Sequence, residues 1–304
     1  MVSLSGLEGS IVPYSFLGIQ ESYEDSSYVI VGVPYDATSS WMPGSRAGPL
    51  AIIEASRYMD PYDMDLGCIP AEAGLHTITE LSVLESTPES MVNTVREAVD
   101  KIVSDGRVPI LLGGEHTLSL GGVQGVKDEA DVYVTLDAHA DFYDDYEGRR
   151  ISHATVSKRI SELVREVIIY GVRTLGWEEK EELDSSDNVT LIPLLSHGGE
   201  GVDTFLRKIE GKKVYLSVDV DVLDPSVLPC LGTPEPGGMS YREVITVLKE
   251  VFRRASVMAM DFVEFSPCPG MRSDAYTVAR LVYKSIGYHI LYSGKQDLRC
   301  GADE

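Results

Sequence analysis

Asp137, His139 and Asp141 stand at alternate positions in one five-residue segment, Asp137-Ala138-His139-Ala140-Asp141. Two carboxylates and an imidazole this close together are good ligands for a divalent cation, and burying them without one is costly. The segment follows an apolar, β-like run at 132–136. Side chains two apart on a strand share a face. Asp137 and His139 are therefore expected to point the same way, with Asp141 at or just past the strand end. Three other segments carry similar residues at or directly after the ends of apolar runs. Gly113-Gly114-Glu115-His116 follows 108–112, Asp219-Val220-Asp221 closes 214–220, and Asp261-Phe262-Val263-Glu264 closes 257–263.

His116, Asp137, His139, Asp141, Asp219 and Asp221 make six candidate ligands, four of them carboxylates. That exceeds the three protein ligands of a catalytic zinc. It suits two metals sharing carboxylates, and an oxygen-rich set with some imidazole favours Mn2+ over sulfur- and nitrogen-bound zinc. Two metals ~3.5–4 Å apart can acidify one shared water, giving a hydroxide nucleophile at neutral pH without an activated Ser or Cys. Singly, each residue has an ordinary alternative: His116 as a helix-start or core histidine, Asp219 or Asp221 as an N-cap. The joint placement carries the metal reading.

These segments need a scaffold that brings strand ends together. The pattern alternates β and α throughout. Apolar runs at 28–33, 108–112, 132–136, 167–172, 189–193, 214–220 and 257–263, with a weaker one at 74–78, are the expected strands. Helices are expected at 48–59, from the N-cap Thr87 to a stop at Gly106, at 118–126, 154–165, near Trp177, at 202–209, after Ser240 with Val244, Val247, Leu248, Val251 and Phe252 inward, and at 273–286. Thr87-Pro88-Glu89 is a helix start and Ser240-Tyr241-Arg242-Glu243 a capping box. Continuous apolar runs are typical of parallel strands buried on both faces. The expectation is an α/β fold around a mostly parallel sheet of about eight strands, forming one domain over 1–304. Residues 1–26 read as an N-terminal arm and 293–304 as a polar tail. In such a sheet the carboxyl ends of the strands share one rim, where ligands bind.

Composition narrows the function classes. The chain has 304 residues and a formal net charge of -22. That charge argues against nucleic acid and anionic membranes as partners and favours cations, although a solvated acidic surface explains it equally well. No apolar run approaches the ~20 residues of a membrane-spanning helix, and no signal peptide is evident. Cys68, Cys230, Cys268 and Cys300 are scattered, which reads as free thiols in a cytoplasmic protein.

The motifs, taken together, resemble the ureohydrolases: arginase, agmatinase and their relatives. The matching pieces are Gly113-Gly-Glu-His116-Thr, Asp137-Ala-His-Ala-Asp141, Ser217-Val-Asp219-Val-Asp221-Val-Leu-Asp-Pro225, Gly232-Thr-Pro-Glu-Pro-Gly-Gly238 and Asp261-Phe-Val-Glu264. Gly32-x-Pro34-x-Asp36 and Arg46-Ala-Gly-Pro49 also fit. The resemblance implies a three-layer α/β/α, arginase-like fold, two Mn2+ per chain, and hydrolysis of a guanidinium to urea and an amine. It also implies a homo-oligomer, a trimer or hexamer. By position, His116, Asp137, Asp141 and Asp219 look like ligands of one ion and Asp137, His139, Asp219 and Asp221 of the other. His153 looks like the proton-shuttling histidine, Glu264 like the carboxylate that holds the guanidinium, and Thr233 like part of the pocket lining. Glu115 departs from the family's usual Asp, Ala154 from its usual Gly, and Cys230 from its usual small residue.

The stretch between Asp141 and His153 contains Asp144, Asp145 and Glu147. Those charges would repel a substrate carboxylate and attract an amine, which points to agmatine, cleaved to putrescine and urea. Arg149 and Arg150 keep an anionic tail open, as in arginine or guanidinobutyrate. A zinc deacetylase of the same fold would need neither His116, Asp221 nor Glu264, and a non-catalytic scaffold would be expected to lose ligands.

Overall fold

The computed structural model describes residues 13–126, 129–194 and 200–293. Among the described residues, eight strands form one sheet: β1 (Tyr28–Val33), β2 (Leu75–Ile78), β3 (Val108–Gly113), β4 (Val132–Leu136), β5 (Glu166–Val172), β6 (Val189–Pro193), β7 (Lys213–Asp219) and β8 (Ser256–Val263). Their order is β2-β1-β3-β8-β7-β4-β5-β6, and every pairing is parallel. The helices are α1 (Gly48–Ser56), α2 (Pro88–Ser104), α3 (Leu118–Val126), α4 (Val156–Ser161), α5 (Trp177–Asp184), α6 (Glu200–Ile209), α7 (Tyr241–Arg254) and α8 (Arg272–Tyr292).

Three layers follow from the strand alternation. Tyr28 and Ile30 of β1 pack with residues of α1, α6, α7 and α8, while Val29, Val31 and Val33 pack with α2, α3 and α4. Both faces are covered, so β1, β3 and β4 are buried along their whole length, as their unbroken apolar runs require. Two helix starts form as expected. The Thr87 side chain accepts from Ser90 N–H at 3.3 Å, and Ser240 and Glu243 make the reciprocal capping box of α7.

The expected boundaries need three corrections. The helix expected over 154–165 is only α4, preceded by a 3-10 turn at His153–Thr155. The helix expected to end at 286 runs to Tyr292, through Gly287, where a Cβ would lie 2.2 Å from Leu66 Cδ1. That glycine admits a neighbour rather than ending a helix. The expected N-terminal arm is docked from residue 14 onward. Phe16 is fully buried, and the N–H groups of Phe16 and Leu17 donate to the hydroxyls of Thr77 and Ser56. Residues 1–12 of that arm and all but Ser293 of the 293–304 tail lie outside the described residues. Among the described residues, no helix is long and apolar enough to cross a membrane.

The free-thiol expectation is also corrected. Cys230 and Cys268 are disulfide-bonded, with Cα atoms 5.4 Å apart and a separation of 38 positions in sequence. They lie in the loops after β7 and β8, which are neighbours in the sheet and whose loops also pair at Leu231 and Phe265. Adjacency in the sheet, invisible in the spacing, brings them together.

Candidate active site

The four strands that carry the chemical segments, β3, β8, β7 and β4, are consecutive at the centre of the sheet. Their carboxyl ends therefore meet at one place on the rim. Gly114 lets the loop after β3 press onto the exit of β1, since a Cβ there would lie 1.9 Å from the Tyr35 carbonyl oxygen. This close approach delivers Glu115 and His116 inward.

His116 is fully buried. Its Nδ1 lies 3.2 Å from Asp137 Oδ2, 3.0 Å from Asp141 Oδ2 and 3.3 Å from Asp219 Oδ2. Its Nε2 faces Tyr133 and Ser217 hydroxyls, each at 3.0 Å. His139 Nδ1 lies 2.8 Å from Asp221 Oδ2 and 3.8 Å from Asp137 Oδ1. Among the described residues, two groups capable of holding a cation emerge, His116-Asp137-Asp141 and Asp137-His139-Asp221. Asp137 belongs to both and turns one oxygen toward each histidine. Asp219 stands beside the first group, its second oxygen accepting Asp221 N–H at 2.9 Å.

The residues fit a metal pair on their own chemistry. His116 Nδ1 and Asp137 Oδ2 are buried and have no hydrogen-bond partner. Buried polar atoms are rarely left so. A cation between them would satisfy both and offset the crowding of carboxylates. With no cation, the cluster takes up protons instead. Burial, then the charges of Asp221 and Asp141, push Asp137 up to about 7. Burial, then Asp221 and Asp137, push Asp219 well above the carboxylate range. Burial would lower His139, but the Asp221 carboxylate outweighs it and lifts the imidazole to about 11. For His116, burial is likewise outweighed by Tyr133 and the three aspartates together, which raise it well above its ordinary value.

Glu264 lies one residue beyond β8. One of its oxygens accepts His116 N–H at 2.7 Å, and burial with the nearby Glu115 charge raises it well above its ordinary range. Asp261, in the same motif, is not on the rim. It lies within β8, buried, accepting from the hydroxyls of Ser119, Tyr215 and Ser217, and Ser217 in turn touches His116. Asp141 and Glu264 have φ of 53° and 66°, left-handed values uncommon outside glycine. Backbone strain of this kind concentrates at functional sites.

One cleft opens onto this cluster. His139, Asp141, Asp219, Asp221, Glu264, His153 and Thr233 all line it. The six candidate ligands, His153, Glu264 and Thr233 are thus brought to one place. The acidic stretch is not. Asp144 is paired with Arg159 and lies 3.8 Å from Arg150, Asp145 accepts Gly148 N–H, and Glu147 lies 4.0 Å from Arg149. None of the three lines the cleft.

Tyr143, Tyr146, Glu179 and Glu235 line it instead, residues the sequence reading did not single out. Glu179 is occupied by the N–H groups of Phe142 and Gly176. The Glu235 side chain has no hydrogen bond or ion pair among the described residues. Its position inside Gly232-Thr-Pro-Glu-Pro-Gly-Gly238 was the available signal, since that segment was already expected to line the pocket.

Comparison with known proteins agrees with this geometry. The Arginase family model matches residues 26–287. An N(1)-aminopropylagmatine ureohydrolase of Thermus thermophilus is 37% identical over 276 residues, covering 90% of this chain and 93% of that one. The agmatinase of Pyrococcus horikoshii is 33% identical over 271 residues, covering 87% and 92%. The crystal structure of agmatine ureohydrolase of Thermoplasma volcanium superposes with a TM-score of 0.88 at 30% identity, covering 96% of this chain and 99% of that one.

Proposed function

The chain belongs to the arginase family, as a ureohydrolase acting on guanidino groups, and from that premise we propose that it cleaves an amine-tailed guanidinium such as agmatine to urea and the free amine. The observation that carries this reading is the pair of ligand groups sharing Asp137 in a cleft that also holds Glu264, His153 and Glu235. His116, Asp137, Asp141 and Asp219 would hold one Mn2+, and Asp137, His139, Asp219 and Asp221 the other. When bound, the metal pair supplies a water acidic enough to attack at neutral pH.

The chain's own residues do the rest. Glu264 presents a carboxylate to the planar N–H fork of the guanidinium and turns its carbon toward the ligand cluster. Attack on that carbon forms a carbon–oxygen bond, and the carbon's bond to the alkyl nitrogen then breaks, leaving urea. The departing nitrogen takes the electron pair and needs a proton, which His153 supplies. Glu235, an unpaired carboxylate on the wall, meets the amine at the substrate's far end. The positive tail is therefore assigned to Glu235 rather than to Asp144, Asp145 or Glu147. Thr233, on the same segment, lines the passage between the two ends.

A longer tail is the second reading. It is favoured by the 37% identity to a protein named for aminopropylagmatine and by the additional lining from Tyr143 and Tyr146, aromatic residues of the kind that attract ammonium groups. Urea release from agmatine, N1-aminopropylagmatine, arginine and guanidinobutyrate, with Mn2+ added, tests both. Urea from none of them overturns the activity. Arginine turning over faster than either amine-tailed substrate overturns the tail assignment. Elemental analysis should give about two Mn per chain, and one zinc would point back to the deacetylase alternative.

A further inference from the structure

Glu115 is fully buried and is not among the ligands, the substrate carboxylate or the proton donor. Its surroundings give it a task. Its Oε1 accepts the Thr38 hydroxyl at 2.6 Å and the Thr117 hydroxyl at 2.5 Å, and its Oε2 accepts Thr38 N–H at 2.7 Å. Thr38 is itself buried, and its Oγ1 lies 3.3 Å from His153 Nδ1 and 3.1 Å from His153 N–H. The loop carrying Thr38 is anchored at Asp36, which pairs with the Arg46 guanidinium and accepts Gly44 N–H at 2.8 Å. Across the ring, His153 Nε2 faces Ser40 Oγ at 3.4 Å, and both residues line the cleft.

The direction of these bonds follows from proton counting. A hydroxyl has one proton and two lone pairs. Glu115 claims the Thr38 proton, so only lone pairs remain toward His153. They can accept the backbone N–H of His153 and an Nδ1–H, but cannot donate to a bare Nδ1. We propose that Thr38, held by Glu115, is a positioning residue that keeps His153 protonated at Nδ1 and so commits Nε2, on the cleft side, to carrying the catalytic proton. This rests on the reading of His153 as proton donor. In the step itself, the carbon–nitrogen bond breaks toward the nitrogen, which takes the proton from Nε2 of the imidazolium. A neutral ring remains with its proton on Nδ1, against Thr38, and solvent returns the second proton. The glutamate matters because it reaches both the N–H and the hydroxyl of Thr38 from a backbone position just before His116. The same logic orients histidines elsewhere: the partner of one ring nitrogen decides what the other can do.

The competing explanation is that Thr38 only holds the backbone of His153 in place. A double-mutant cycle shows whether the effect passes through the His153 ring at all, and the tautomer of that ring separates the two explanations. Thr38→Val keeps the shape and the N–H to Glu115 but removes the hydroxyl. It should lower kcat at least ~10-fold with KM and metal content unchanged, and Thr38→Ser should restore kcat to within about threefold. In a His153→Ala background, Thr38→Val should cost less than about twofold more, because its effect passes through the missing ring. A Thr38→Val enzyme with wild-type kcat overturns the proposal, as does a full additional loss in the His153→Ala background. A second measurement needs no variant. 15N NMR of labelled histidine in the Mg2+-loaded wild type should show His153 as the Nδ1–H tautomer, and the Nε2–H tautomer overturns the assignment. If wild-type enzyme releases no urea from any guanidine, the proposed function fails, while the tautomer measurement still decides this point.

Discussion

Two buried histidines, His116 and His289, show opposite uses of the same side chain. His289, on α8, is bonded on both sides. Its Nδ1 meets Tyr28 Oη at 2.8 Å, and its Nε2 meets the Val257 carbonyl at 3.0 Å, near the start of β8. His116, beyond the end of β3, is bonded only through Nε2, while its Nδ1 faces three carboxylates without a hydrogen bond. Burial is therefore a poor indicator of function on its own. What separates the two is where the second nitrogen points: at a carbonyl or hydroxyl already paired, or at a crowd of like charges that a cation would offset.

The contrast can be broken from its catalytic side first. Asp137→Asn removes the charge shared by both ligand groups. Urea release should fall at least ~1,000-fold and bound metal should drop below one per chain by elemental analysis, since carboxylate ligands carry the site. Retention of two metals would end the sharing argument. His289→Ala should do the reverse. Metal content and kcat of the folded fraction stay near wild type, while stability falls by about 2–4 kcal/mol, because a packed ring is lost and two polar groups lose their partner. Urea denaturation measures it. A large loss of kcat with unchanged stability would erase the distinction drawn between the two residues.

The pH dependence sharpens the same contrast. Without metal, Asp137 is pushed up to about 7, so below that pH protons hold the position a cation would take. Metal affinity should weaken roughly tenfold or more between pH 8 and pH 6, with protons released on binding, visible by calorimetry in buffers of different ionisation enthalpy. The smallest effect belongs to the cleft wall. Glu235→Gln should raise KM for agmatine roughly five- to tenfold with kcat nearly unchanged, as expected for one charge-assisted contact away from the reacting carbon.

Much of this arrangement was legible in the residues themselves. The apolar runs announced buried parallel strands, and Asp137, His139 and Asp141 announced a cluster of candidate ligands, because strand periodicity is local. The convergence of four segments followed from all of them lying at carboxyl ends of parallel strands. Other features depend on contacts that spacing does not encode. Cys230 and Cys268 join because β7 and β8 are neighbours, a fact of sheet order. Asp144, Asp145 and Glu147 look like a cation trap until Arg150, Arg159 and Arg149 are seen beside them. Glu235 looks ordinary until its side chain is seen to have no partner among the described residues. Asp261 sits in a site motif yet serves the hydroxyls behind His116, because its position in β8 turns it into the core rather than to the rim.

The left-handed backbone at Asp141 and Glu264 decides how mutational data on this site can be read. Asn adopts that conformation with little penalty, whereas β-branched residues are strongly disfavoured there. At position 141, then, Asn isolates the loss of a charge, while Val or Ile mixes that loss with a refolded turn. Position 264 offers no such clean control, since Gln carries the same backbone penalty as Glu and Gly relieves it while deleting the side chain. A saturation library would accordingly rank residues at 141 partly by conformational tolerance, and its ordering should follow Asn and Gly ahead of Val and Ile even in a readout of folding alone.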